Sequence, residues 1–252
     1  MASASQKKLI RSAVCQKLMD TLLAEIRAEL KKAADKDRAE HETHYFKETI
    51  KCYGTGLQKA HNVAAEINRK YQPDLKTSIL LAEKLFQGGW FEEGLVGLDL
   101  MRRRNKEFDY KMLDVFEKWA EKYIGNWAHS DDLSAHLIAP VLAKYPEAAK
   151  RLVTWTSSEN RWKRRVAAVS FIYEASQGKH FPEVFTIAKA LMKDKDDLVQ
   201  KGSGWMLREA VKGNEKKGIS FLEKHKHELP RTTLRYAIER LPESKRKELL
   251  AK

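Results

Sequence analysis

Apolar residues recur at three- and four-residue spacing along nearly the whole chain, and no stretch alternates strictly enough to read as a strand. From Leu9 the series runs Leu9, Ile10, Ala13, Val14, Leu18, Leu22, Ile26, Leu30, the pattern of one buried helix face. The charged stretch Lys31 to His44 reads as a loop, Gly54 and Gly56 as a turn, and Lys59 to Arg69 as a second helix. After Tyr71 the pattern becomes regular. Pro73-Asp74 opens a helix that Gly88-Gly89 ends, the usual glycine stop. Others run from about Phe91 to Arg104, from Asp109 through Trp119, and over Asp132–Lys144, Pro146–Trp155, Asn160–Gln177, Phe181–Met192, Asp196–Lys212, Asn214–His225, Pro230–Arg240 and Pro242–Leu250.

These helices are roughly 10–18 residues long and their loops roughly two to six, which makes sequential helices antiparallel neighbours. A hairpin therefore recurs about every 35–40 residues, the period of HEAT-like solenoids. One hairpin cannot bury its own apolar face, so the repeats must stack. The expected fold is all-α, a HEAT-like helical-hairpin solenoid (an α-α superhelix) with a concave basic face. It is expected as one domain over residues 1–252, the first 70 forming a less regular helical cap.

The charge points to the occupant of such a face. Lys and Arg number 48 against 35 Asp and Glu, a net +13. An excess of that size suits a polyanion, either nucleic acid or an anionic membrane, or else serves solubility. Basic clusters fall at Arg102-Arg103-Arg104, Arg161 through Arg165, Lys193, Lys195, Lys201 and Arg208. Most lie near a helix end, where cations are favoured in any case; their recurrence at repeat spacing favours a phosphate track. No apolar run approaches the roughly 18 residues of a membrane span. The polar start Met1 to Leu9 lacks the apolar core of a signal peptide. A soluble intracellular protein is expected, in a bacterial cytoplasm or a nucleus, and a monomer. Cys15 and Cys52 lack the spacing of a disulfide framework or zinc site and are expected to be buried thiols in a reducing compartment.

Three segments could carry chemistry: Gly125-Asn126-Trp127-Ala128-His129-Ser130-Asp131-Asp132, Asn160-Arg161-Trp162-Lys163-Arg164-Arg165, and Lys201-Gly202-Ser203-Gly204-Trp205-Met206-Leu207-Arg208-Glu209. Trp127 reads as a loop residue, with Ser130, Asp131 or Asp132 as the cap of the next helix. His129 reads as a solvated bystander or a phosphate contact. Trp162 would pack in the core, and Arg165 shares its helix face, free for an ion pair. Gly202 and Gly204 each cost about 1 kcal/mol inside a helix, so something must approach closely there, a neighbouring helix or a ligand.

The ordered set Asn126-Trp127 with Asp131, Trp162-Lys163-Arg164-Arg165, and Gly202-Ser203-Gly204-Trp205 resembles the AlkD-like DNA alkylation repair glycosylases. The similarity runs from about Tyr45 to the C-terminus and includes Tyr45-Phe46-Lys47, Lys51-Cys52-Tyr53-Gly54, Leu81-Ala82-Glu83-Lys84-Leu85 and Phe91-Glu92-Glu93. The resemblance implies hydrolysis of the N-glycosidic bond of cationic N3- or N7-alkylated purines in double-stranded DNA, without a base-flipping pocket. It places the catalytic carboxylate at Asp131, tryptophans of the DNA cleft at Trp127 and Trp205, and an arginine of the cleft at Arg165. Arg164, Arg161, Lys201, Arg208 and Arg103 would contribute further DNA contacts. Glycosidic hydrolysis needs only water, and no metal or cofactor is implied. A DNA-binding relative without catalysis, or a helical scaffold for a protein partner, are the alternatives.

Overall fold

The computed structural model describes residues 4–251, with side chains from Gln16 onward. The apolar positions Leu9, Ile10, Ala13 and Val14 and the thiol of Cys15 lie outside the described side chains. The described residues are all-α; the one β-type pairing among them is an isolated parallel bridge between Lys51 and Trp90. Helices pack mainly on helices near in sequence, a solenoid-like arrangement. No described helix is long and apolar enough to cross a membrane. The chain divides into two compact units, residues 1–107 and 108–252.

The first unit holds α1 (Ala4–Lys32), α2 (Lys36–Thr43), α3 (Leu57–Tyr71), α4 (Leu75–Gly88) and α5 (Phe91–Arg102). Helix α1 buries Met19, Leu22, Ile26 and Leu30, a stripe at helical spacing. Helix α2 corrects the loop expected over Lys31–His44. It buries nothing, so no apolar rhythm marks it. Its order comes from a cap, the Asp35 carboxylate accepting from Arg38 N at 3.0 Å, and from the Arg38–Glu42 pair at 2.7 Å.

Helix α5 is buried from Phe91 to Met101, acidic residues included. Such carboxylates must be matched by donors. Glu93, 1% exposed, takes the Arg27 guanidinium at 3.0 Å and the Tyr53 hydroxyl at 2.9 Å. Glu92 accepts from Tyr53 N at 2.9 Å and Thr55 N at 3.1 Å, and from the Cys52 thiol at 3.3 Å. The same thiol lies 3.3 Å from a Glu42 carboxylate oxygen. Burial, and next the Glu92 charge, push the Cys52 thiol well above the ordinary thiol range. Cys52 is half-buried rather than fully buried, because this polar network replaces an apolar wall.

The second unit holds α6 (Met112–Lys122), α7 (Trp127–Asp132), α8 (Ala139–Lys144), α9 (Ala148–Thr154), α10 (Arg161–Val169), α11 (Ile172–Ser176), α12 (Phe181–Ala190), α13 (Asp197–Gly213), α14 (Glu215–His225), α15 (Arg231–Ala237) and α16 (Glu243–Leu250). Helix α13 is its centre, packed on α10, α11, α12, α14 and α15. The single helix expected over Asn160–Gln177 is two, parted at Ser170 and Phe171. Apolar spacing runs through the break because both pieces bury their faces on α13, which hides the boundary from periodicity alone.

Candidate functional site

The segment around Asp131 starts a helix earlier than the sequence suggests. Asn126 is the cap: its side-chain oxygen accepts from His129 N at 2.9 Å. Trp127 is thereby the first residue of α7 rather than a loop residue, and Ser130, Asp131 and Asp132 lie inside the helix. Asn126 Nδ2 also lies 3.0 Å from His129 Nδ1, and His129 is buried. The solvated bystander expected at His129 is thus corrected to a buried part of the capping turn. Immediately after Asp132 the helix widens into a π-helical segment, Leu133–Ile138, before narrowing again into α8. The Ser134 hydroxyl donates to the Ser130 carbonyl at 2.7 Å inside this junction. Such local π turns occur frequently at functional sites.

Trp127 and Asp131 are four residues apart on α7 and so share a face. From α10, Arg165 meets Asp131 side-on: Nε donates to Oδ1 at 2.8 Å and Nη2 to Oδ2 at 2.8 Å. This two-pronged geometry is the strongest arrangement for a guanidinium and a carboxylate. The third nitrogen, Nη1, donates to the Leu198 carbonyl at the start of α13. Arg165 therefore ties α7, α10 and α13 together at one point. Its side chain is 7% exposed, while that of Asp131 is 18% exposed, so the acid is the member of the pair that reaches solvent. Each carboxylate oxygen keeps a second acceptor position after the Arg165 bonds. Burial pushes the Asp131 carboxyl above its ordinary range, and Arg165 pulls the other way.

The two glycines of α13 answer to different neighbours. A Cβ at Gly202 would lie 3.3 Å from Arg165 Cγ and 3.2 Å from Val169 Cγ2. A Cβ at Gly204 would lie 2.6 Å from the Thr233 carbonyl oxygen and 2.5 Å from Tyr236 Cβ, both on α15. Gly202 makes room for the guanidinium arm, and Gly204 lets α15 close on α13. Trp205, half-buried, stands three residues beyond Gly202 and shares the side of α13 that faces α10. Trp162 is buried, with the Arg161 guanidinium 4.5 Å from its ring centroid.

The five other cations expected to contact DNA, Arg164, Arg161, Lys201, Arg208 and Arg103, each lie against a carboxylate. Arg164 meets Asp194 at 2.6 Å and donates to the Ser158 and Glu159 carbonyls at 2.9 Å. Arg161 meets Asp196 at 3.0 Å, and Lys201 meets Asp197 at 3.2 Å. Arg208 pairs with Glu239 and lies 3.5 Å from Glu209. Arg103, in the first unit, meets Asp99 at 2.8 Å. A run of arginines shows in sequence, but the acids that meet them stand roughly 30 positions away, or one helical turn off, and carry no local mark.

A family model described as DNA alkylation repair enzyme matches residues 26–241. Among solved structures, a predicted DNA alkylation repair enzyme from Enterococcus faecalis shares the fold with a TM-score of 0.73 at 17% identity, covering 83% of this chain and 97% of its own. No curated protein matches the sequence.

Proposed function

Because the chain belongs to the DNA alkylation repair enzyme family, its role lies in DNA repair, and we propose that it is a monofunctional glycosylase for cationic N3- and N7-alkylated purines in duplex DNA. The observation that carries this reading is the Asp131 carboxylate, clamped from behind by Arg165 and open to solvent on the face of α7 that also bears Trp127. A purine alkylated at N3 or N7 is already positive and leaves without help from an acid. As the C1′–N bond breaks, its electron pair returns to the base, which departs neutral, and positive charge moves to the deoxyribose. A fixed carboxylate stabilises that charge and orients a water toward C1′; the water's oxygen bonds C1′ and its proton is lost through Asp131. The products are the free alkylpurine and an abasic site. Trp127 and Trp205 offer π faces that favour the cationic sugar, and no flipped-base pocket enters the scheme.

In this scheme Arg165 positions the carboxylate. The sequence resemblance implies that it holds DNA; three of its five donors serve Asp131 and Leu198. The same neutralised pair favours a second reading, a DNA-binding relative in which the ion pair is a helix clamp.

The two readings part on one measurement. A duplex bearing a single N7-methylguanine is incubated with the wild type and with Asp131→Asn, and free base is quantified. The expected result is release by the wild type, a fall of at least about 100-fold in the variant, and unchanged duplex binding. Equal release by both would overturn Asp131 as the catalytic group. No release by the wild type, with binding intact, would favour the clamp.

A further inference from the structure

If duplex DNA is the partner, as proposed above, the cations that hold its backbone must be free to do so. The arginines that cluster in the sequence are not: Arg161, Arg164, Arg165 and Arg208 each face a carboxylate. Between Thr156, which follows α9, Arg164 of α10 and the loop leaving α12 lies an open groove of about 660 Å³, lined also by Ala190, Leu191 and residues 193–196. Three of its charges cancel in part: Arg164 is paired with Asp194 inside the groove, and Asp196 with Arg161 beside it. Asp194 also accepts from Asp196 N at 3.0 Å, and its own carbonyl accepts from Gln200 Nε2 at 2.7 Å. The loop is thus fixed by its acids, while its two lysines, Lys193 and Lys195, are exposed and meet no acceptor among the described residues.

From these features we infer that Lys193 and Lys195 form a phosphodiester-binding subsite, the paired arginines serving as its scaffold. Its position fits a strand that passes Asp131. Arg164 and Arg165 are consecutive on α10 and point to the two places, one to the groove through Asp194, the other to Asp131. Asp196 and Leu198, two residues apart at the start of α13, meet Arg161 and Arg165, the first through its carboxylate and the second through its backbone carbonyl. A nucleotide held at Asp131 would carry its flanking phosphates toward the groove. Two freely hydrated ammonium groups on a braced loop suit a backbone whose path varies with sequence, since they contact phosphate as point charges.

The test compares the wild type, Lys193→Gln/Lys195→Gln, and a charge-matched control, Lys216→Gln/Lys224→Gln on the exposed side of α14. Binding of an undamaged duplex is measured as a function of salt, beside base release at saturating N7-methylguanine duplex. Each lost phosphate contact lowers the slope of log K against log salt by about 0.9. The Lys193/Lys195 variant is expected to lose about 1.8 from the slope, with the control near wild type and release at saturation unchanged. A slope equal to that of the control would overturn the subsite while leaving the glycosylase reading in place. Absence of salt-dependent duplex binding by the wild type would sink both. All four lysines are exposed, so an unchanged helical circular dichroism spectrum is expected throughout.

Discussion

In the proposed reaction Asp131 must act as an anion while largely enclosed by protein. Burial raises its proton affinity and Arg165 opposes that rise. The consequence has a definite sign. A carboxylate whose pKa is raised loses its charge on acidification sooner than an ordinary one, so base release is expected to fall, as pH decreases, at a pH above the roughly 4 typical of a free Asp. The same shift means that this group favours folding most at acid pH and less as pH rises through its folded pKa. Arg165→Met removes the opposing pull and should move the acid limb of the pH–rate profile further up. An acid limb that stays put in that variant would show that Arg165 does not govern the carboxylate. Much of this pair was readable: the sequence pointed to both residues. Their direct contact was not, because the two lie 34 positions apart and nothing local to either marks the other.

At the scale of elements, α13 accommodates two demands with two glycines, and they are separable. Alanine at Gly204 would drive Cβ to 2.6 Å from a backbone carbonyl of α15, which cannot give way as a side-chain tip can. Overpacking of this kind costs about 1–3 kcal/mol, outweighing the gain of about 1 kcal/mol in helix propensity. A drop of several degrees in melting temperature is expected for Gly204→Ala. At Gly202 the contacts, 3.2 and 3.3 Å, are to side-chain carbons that can shift by tenths of an ångström. Gly202→Ala should melt within a degree or two of the wild type and instead slow base release, by displacing Arg165 and through it Asp131. Thermal melts with single-turnover assays separate the two; a larger loss of stability at Gly202 than at Gly204 would contradict the assignment. The sequence flagged both glycines as points of close approach but could not say to what. Helix starts show the same limit. Asp74 and Asn214 cap the helices that follow them, as their positions suggest, whereas at α7 the sequence points to Ser130, Asp131 or Asp132 and the cap is Asn126, because the residues after Asn126 look like loop.

Across the whole molecule, the all-α class followed from periodicity, since apolar spacing reports directly on which face is buried. Helices without an apolar face escape that test, as α2 did. Charge is the feature that sequence treated most coarsely. The net +13 is a sum, and a sum does not say which cations remain available once ion pairs form. Of the basic clusters in the sequence, the arginines Arg161, Arg164, Arg165 and Arg208 are paired with carboxylates inside the fold, whereas the exposed Lys193 and Lys195 have no such partner among the described residues.

Cys52 has a bearing on survival that concerns chemistry other than catalysis. A protein of alkylation repair works amid the electrophiles that damage DNA, and a cysteine thiolate is among the groups they attack most readily. Here the thiol sits between Glu42 and Glu92, and burial together with their charge keeps it protonated. The thiol form is a poor nucleophile. Cys52 should therefore resist methylating reagents and iodoacetamide, reacting at least about tenfold more slowly than free cysteine at pH 8, as peptide mass spectrometry of the labelled protein would show. Labelling as fast as free cysteine would mean the carboxylates offer no such shelter. If they do, the acidic network of the first unit lets the protein persist through the exposure that calls for it.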